Sequence, residues 1–382
     1  MSVLTLPPLS LYIHVPWCIR KCPYCDFNSH AATPVLPEDE YIEALLADLA
    51  HDLDWVQNRA IESIFIGGGT PSLLSVQAYQ KLFDGLQNSL VFSPNIEITL
   101  EANPGTFEAE KFAGYFQLGI NRLSIGIQSF NSGFLQKLGR VHDGEQALNA
   151  VKIAKNAGFT NFNLDLMHGL PGQSIKDALA DLQQAIDFAP PHLSWYQLTI
   201  EPNTEFYKRP PVLPVDDALW DIQEAGLELL QKHGYQHYEI SAHAKAGFEA
   251  KHNVNYWQFG DYLGIGAGAH GKITFADSGE IIRSQKTRMP SDYLDKDKLA
   301  KRRYEVIPAE EIGLECLMNA LRLNQGISVT DFEQRTGLTL DAVQQPIKKA
   351  VQLGLLEITA DIKATAKGQQ YLNELLSFFL SE

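Results

Sequence analysis

Long hydrophobic runs are the first thing this sequence lacks. No uninterrupted apolar stretch approaches the ~20 residues that a helical membrane span requires, and Pro7 and Pro8 interrupt the apolar segment near the start. No basic cluster precedes that segment, so no signal peptide is expected and the chain reads as cytoplasmic, with no stable membrane span. Positive charge is scarce too: 31 Lys and Arg stand against 46 Asp and Glu, for a net charge of −15. A surface this acidic repels a phosphate backbone, which argues against a nucleic-acid partner. Cysteine is rare, with four in 382 residues. A disulfide scaffold would pair its cysteines and spread them along the chain. Here Cys18, Cys22 and Cys25 crowd one short stretch and Cys316 stands alone. Clustered thiols in a reducing compartment read as ligands of a metal or cofactor, and Cys316, in a predicted helix, as a small core residue.

What is present is a repeat. Short β-rich apolar stretches (Leu9–Val15, Ser63–Ile66, Ile96–Leu100, Arg122–Ile127, Phe162–Met167 and Leu193–Ile200) alternate with helical patterns near 38–58, 75–90, 107–118, 143–157, 174–188 and 215–233. Six βα units in series imply a parallel sheet with right-handed crossovers. The strands read as apolar on both faces, as in a sheet covered by helices. Polar residues gather where strands end: the cysteine loop, Gly67-Gly68-Gly69-Thr70-Pro71, Glu101-Ala102-Asn103-Pro104, Gln128-Ser129, Asp165 with His168-Gly169-Leu170-Pro171-Gly172, and Tyr196-Gln197. Functional groups at many C-terminal strand ends suit a barrel; an open sheet would concentrate them at one switch point. The expected fold is α/β, a partial (β/α)6 barrel over residues 1–235 with its cysteine loop at 12–30. Residues 236–305 read as a β-rich extension and linker, including the charged stretch Lys296–Arg303. Residues 306–382 read as an α-rich, winged-helix-like domain. That module often binds DNA, but residues 327–382 carry five Lys and Arg against seven Asp and Glu, the wrong sign for a major groove. It reads as a packing or partner-binding module.

The cysteine spacing is Cys-x3-Cys-x2-Cys. Three thiolates on one tight loop can hold three corners of a cubane cluster, leaving one iron open, whereas iron–sulfur clusters are normally held by four cysteines. The alternative is structural zinc, which needs four protein ligands; His14 or His30 would have to serve as the fourth.

With an aromatic residue, Tyr24, before the third cysteine and a glycine motif one βα unit later, the chain resembles the radical S-adenosylmethionine superfamily. Stretches such as Tyr12-Ile13-His14-Val15-Pro16-Trp17-Cys18, Ser124-Ile125-Gly126-Ile127-Gln128-Ser129-Phe130, Leu138-Gly139-Arg140 and Asn163-Leu164-Asp165-Leu166-Met167-His168 resemble the anaerobic coproporphyrinogen III oxidase family, and within it the haem-chaperone (HemW) branch, from about residue 9 to the C-terminus. The resemblance implies a [4Fe–4S] cluster on Cys18, Cys22 and Cys25. It implies S-adenosylmethionine at the open iron, in a pocket lined by Tyr12, Tyr24, Gly68, Gly69, Thr70, Glu101, Gln128, Arg140 and Asp165. The residue types suit that ligand. Glu101 can accept from the amino group, Arg140 can pair with the carboxylate, Gln128 and Asp165 can bond the ribose, and Tyr24 can stack on adenine. Glycine at 68 and 69 would let backbone approach the amino group.

The oxidases carry a further cysteine two residues after the third, where this chain has Phe27. They also carry a longer segment before the cysteine loop, for which Cys18 stands too near the start. His252-Asn253-Val254-Asn255-Tyr256-Trp257 matches a stretch of the chaperone branch, and a neutral imidazole can ligate haem iron. His252 is therefore a candidate haem contact, the alternative being a local hydrogen-bonding role, and His270, in a glycine-rich stretch, is a weaker candidate that reads more readily as structural. The resemblance implies a chaperone that binds haem and passes it to an acceptor protein. Coproporphyrinogen III oxidation by radical chemistry is the alternative, and a zinc scaffold without redox chemistry the third reading.

Overall fold

The computed structural model describes residues 3–105, 110–299 and 303–380. Six parallel strands run in sequence order: β1 (Leu9–Val15), β2 (Ile61–Gly68), β3 (Phe92–Ala102), β4 (Arg122–Gln128), β5 (Asn161–His168) and β6 (His192–Gln197). Helices α1 (Glu38–Asp52), α2 (Val76–Ser89), α3 (Phe112–Gln117), α4 (Gly144–Asn156), α5 (Ile175–Asp187) and α6 (Asp216–Lys232) occupy the intervals. This is the partial (β/α)6 barrel. Part of the helical pattern at 107–118 and of the charged stretch Lys296–Arg303 lies outside the described residues.

Segment 236–305 adds strands to both edges of the barrel sheet. On one side β7 (Gln236–Glu239) and β8 (Ala242–Ala244) follow β6; on the other β9 (Asp261–Ile265) pairs in parallel with β1 and leads out to β10 (His270–Phe275), β11 (Glu280–Gln285) and β12 (Arg303–Val306). Between the two edges the chain forms a short helix, α7 (Lys251–Trp257), that crosses the concave face of the sheet. Asn255 Nδ2 donates to Ser10 Oγ at 2.9 Å, His252 Nδ1 lies 3.3 Å from Ser63 Oγ, and Glu97 Oε1 accepts from the Lys251 amide at 2.9 Å.

The strands are not apolar on both faces. Alternation within them explains why. Leu9, Leu11 and Ile13, then Ile64 and Ile66, Leu123 and Ile125, Leu164 and Leu166 pack outward against the helices with Leu45, Leu82, Val151 and Leu182. Their neighbours Ser10, Ser63, Thr99, Arg122, Ser124, Asn163 and His192 are buried polar groups on the other face. Buried polar groups need partners, and here they bond one another. Ser10 and Ser63 hydroxyls lie 2.8 Å apart; Asn163 Nδ2 donates to Ser124 Oγ and Asp165 Oδ1, both at 2.8 Å, and Asn163 Oδ1 lies 2.7 Å from His192 Nδ1. The lumen is thus a polar core enclosed by an apolar one.

The C-terminal part has helices Ala309–Ala320, Val329–Thr336 and Gln344–Gln352 and a three-stranded sheet of Ile327–Ser328, Asp361–Ala364 and Leu356–Ile358, the winged-helix arrangement. Its own core holds Phe332, Leu317 and Cys316, the last fully buried as its helical position predicts.

Candidate functional site

The cysteine loop follows β1. Two contacts fold it onto the end of β2, the amides of Gly69 and Thr70 donating to the carbonyls of Val15 and Trp17, both at 2.7 Å, and within the loop the amide of Cys25 turns back to Cys22 O at 3.1 Å. Glycine is required here for close approach. A Cβ on Gly69 would sit 2.5 Å from Trp17 O, and Gly68 has φ of 114° and would press on the His14 ring at 2.6 Å. The glycine motif therefore seats the cysteine loop as well as opening the cavity beyond it.

That cavity, about 500 Å³, lies at the C-terminal strand ends. It is lined by Cys18, Cys22, Tyr24, Cys25, Gly68, Gly69, Thr70, Glu101, Gln128, Arg140 and Asp165. The three cysteines are free and partly buried. Burial pushes the Cys18 and Cys25 thiols up; the Thr70 and Ser29 hydroxyls oppose this at Cys18, and the Phe27 backbone and Ser29 at Cys25. Arg140 bridges elements. Its Nη2 donates to Asn103 Oδ1 at 2.7 Å and Gly126 O at 2.9 Å, and its Nη1 lies 3.6 Å from Cys22 Sγ and 3.5 Å from the Tyr24 hydroxyl. Its fork is thus occupied by protein acceptors, and its charge faces the thiols.

Glu101 accepts from the Gly68 amide at 3.0 Å. Burial, with Asp165 nearby, pushes its carboxyl up to about 7, against the Gly68 bond. Burial also raises Asp165, opposed by hydrogen bonds from Asn163, Ser194 and Ser124. Two carboxylates in one enclosed space invite a cation. Gln128 holds a left-handed backbone, φ 64°, at the very end of β4, and its Oε1 is buried without a partner among the described residues, as is Arg140 Nε. Strain and unsatisfied buried polar atoms of this kind gather at ligand sites.

One of the residues expected here, Tyr12, lines a neighbouring cavity instead. Tyr12 donates or accepts at 2.9 Å with His14 Nδ1 and stacks beside Phe65; with His252 it walls a space of about 720 Å³ that also meets Tyr256, Trp257, Tyr262, His270 and Arg288. Phe27, Gly68, Glu101, Asn253 and Trp257 line both cavities, which therefore share a wall. Burial, reinforced by the charge of Arg122, holds His252 neutral, its pKa down to about 3. Among the described residues no three His, Cys, Asp or Glu side chains converge on a point suited to a single metal ion. Sequence reasoning marked Asn103 only as part of a polar strand end, without a role, and passed over Ser194. Asn103 was legible from its position two residues past Glu101, on the same side of the strand, but its bonds to Thr70 (2.9 Å) and Arg140 come from the fold.

A Radical SAM superfamily model matches residues 12–185 and a HemN C-terminal domain model matches residues 307–371. The chain is 55% identical to a heme chaperone HemW of Haemophilus influenzae, with 99% of each chain covered. It belongs to the HemW family. It is 53% identical to the HemW of Escherichia coli over 99% of each chain, and 35% identical to that of Bacillus subtilis over 98% of this chain and 99% of the relative. Among solved structures, coproporphyrinogen III oxidase (HemN) from Escherichia coli, a radical SAM enzyme, superposes with a TM-score of 0.82 at 24% identity, covering 98% of this chain and 90% of that one. That likeness extends the shared fold through the winged-helix region. In this HemW-family chain, no helix among the described residues is long and apolar enough to cross a membrane.

Proposed function

We propose that this protein is a haem chaperone: it holds a [4Fe–4S] cluster on Cys18, Cys22 and Cys25, binds S-adenosylmethionine beside it, takes up haem and passes it to an acceptor protein, acting in the cytoplasm. The observation that carries the reading is the pair of adjoining cavities, one with thiols and polar groups, the other with aromatic rings and histidines. Relatives at 55 and 53% identity over almost the whole chain are named heme chaperones.

The residues present fit both resident groups. Three partly exposed thiols on one loop suit three cluster corners. The unpartnered Gln128 Oε1 and the crowded carboxyls of Glu101 and Asp165 suit a ligand carrying an ammonium and a diol. When bound, the cluster supplies an electron and S-adenosylmethionine a reducible sulfonium C–S bond. The chain's part is to position. Arg140 balances the negative charge of the thiolates it faces. Glu101 releases its proton when an ammonium arrives, because the arriving cation stabilises the carboxylate. Asn163 and Ser124 hold Asp165 with both oxygens directed. Tyr12, Phe65, Tyr256 and Trp257 give the second cavity flat apolar walls of the kind a porphyrin face needs, and His252 offers a neutral imidazole there.

The test is anaerobic reconstitution with iron and sulfide, haem titration of the wild type and His252→Ala by absorbance, and an assay for coproporphyrinogen III decarboxylation. Saturable haem binding weakened by His252→Ala, without decarboxylation, is expected. Decarboxylation without specific haem binding would make the protein an oxidase despite Phe27.

A further inference from the structure

Three histidines line the aromatic cavity, and their ring nitrogens differ in what the protein asks of them. His14 is committed on both sides, to the Tyr12 hydroxyl at 2.9 Å and to Asn28 O at 2.8 Å. His252 spends Nδ1 on Ser63 at the lumen end. His270 is the first residue of β10 and stands exposed at the mouth, with no hydrogen-bond partner on either ring nitrogen among the described residues. A half-exposed imidazole without a structural bond has no packing reason to be a histidine.

Its surroundings are built. Lys286, on the segment just after β11, is buried and makes 2.6 Å ion pairs with both Asp48 and Asp52 of α1. Two residues on, Arg288 accepts from Asn28 Nδ2 through its carbonyl at 2.9 Å, and the same amide group reaches Ala267 O at 2.9 Å. Asn28 lies three residues beyond Cys25, so the cluster loop, the glycine stretch before His270 and the backbone of Arg288 are tied together. The Arg288 side chain is exposed and makes no ion pair among the described residues, whereas Arg283, also exposed, is engaged by Glu315 at 2.7 Å. Arg288 is therefore a free guanidinium fixed by its backbone beside a free imidazole, at the rim of a cavity with aromatic walls.

We propose that His270 supplies an iron ligand to haem at the mouth of this cavity and that Arg288 pairs with a propionate. The assignment rests on the haem-carrier reading and adds the exit side of the site to it. A cation that forks onto a carboxylate fixes the orientation of the macrocycle, and a neutral imidazole is the usual protein ligand for its iron. Burial first, then the charges of Arg283 and Arg288, hold the His270 ring toward the neutral form that ligation requires. A ligand at the rim is also the one an acceptor could replace without opening the lumen.

Ferric haem is titrated into reconstituted wild type, His270→Ala and Arg288→Gln, and followed by absorbance, by electron paramagnetic resonance and by transfer to apomyoglobin. For His270→Ala we expect a changed iron spin or coordination state, restored by added imidazole, and about tenfold faster haem loss. For Arg288→Gln we expect about tenfold weaker binding of haem but unchanged binding of haem dimethyl ester, whose propionates carry no charge. Saturable wild-type binding with an identical spectrum and loss rate in His270→Ala would overturn the ligand assignment alone. Equal weakening of haem and its ester by Arg288→Gln would overturn the propionate pairing. Failure of the wild type to bind haem saturably would remove the carrier reading and this inference with it.

Discussion

The six strands of the barrel present Leu, Ile and Val to the flanking helices and Ser, Asn, Asp, Glu and Arg to the lumen, so alternate residues of a single strand serve two different ends. On the outer face each fully buried aliphatic side chain contributes about 1.5–3 kcal/mol by leaving water. On the lumen face polar groups gain little net stability from bonding one another, but they hold directed donors and acceptors at the strand ends. The lesson is that one face supplies stability and the other chemistry. A slip of one residue in register would exchange them and lose both.

Substitutions on either face test that division. The largest effect is expected at the top of the lumen. Cys18→Ala should lose the cluster altogether, seen as absent iron–sulfur absorbance after anaerobic reconstitution, with the thermal transition of the apoprotein nearly unmoved; full iron and sulfide content in this variant would sink the ligand assignment. On the outer face, Leu164→Ala, at a fully buried position, should destabilise the protein by about 2–5 kcal/mol in denaturant titration and leave the affinity of the folded fraction for S-adenosylmethionine unchanged. A change in that affinity would mean the two faces are coupled.

Glu101→Gln comes next. It should weaken S-adenosylmethionine roughly tenfold to hundredfold at pH 8, since a charge-assisted hydrogen bond is worth about 1.5–3 kcal/mol. Because burial holds the wild-type carboxyl at about 7, wild-type affinity should fall as pH drops below that value, and the difference between the two proteins should shrink. Calorimetry across pH 6–8 measures this, and a constant difference would remove Glu101 as the cation's partner.

The effect that is smallest per pH unit concerns stability. His252 is held at about 3 in the fold against 6.5 in an unperturbed chain. Its contribution is fully present above pH 6.5 and is lost as pH falls from there toward 3, where the unfolded chain takes up a proton that the folded one refuses. His252→Gln should make stability less steep in that window by about 1.4 kcal/mol per pH unit, read by denaturation of the haem-free protein at several pH values. An unaltered slope would mean that the imidazole is not buried as described.

Much of this was legible in the sequence. Apolar stretches of four to eight residues alternating with amphipathic patterns located all six βα units, because local periodicity survives in any tertiary context. Cysteine spacing and strand-end polarity marked the site. The lumen was harder. Ser10, Ser63 and Ser124 are small and interrupt apolar stretches only briefly, so the strands read as apolar throughout, although period-two alternation was there to be counted. Nothing local says that His252 crosses the sheet to reach Ser63, that Tyr12 turns toward a second cavity, or that residues 236–305 serve both sheet edges. These are contacts between distant parts of the chain, chosen by packing rather than by propensity.

The helix that closes the lumen has a bearing on how the protein is made. Leu9 pairs with Asp261, and Ser10 is bonded by Asn255. A chain emerging from the ribosome N-terminus first exposes β1 with one bare edge and an unfilled polar interior until two thirds of its length has been synthesised. An unpaired strand edge is a template for association with other chains. The nascent protein thus passes through a long interval in which its own first strand is the part most in need of shielding.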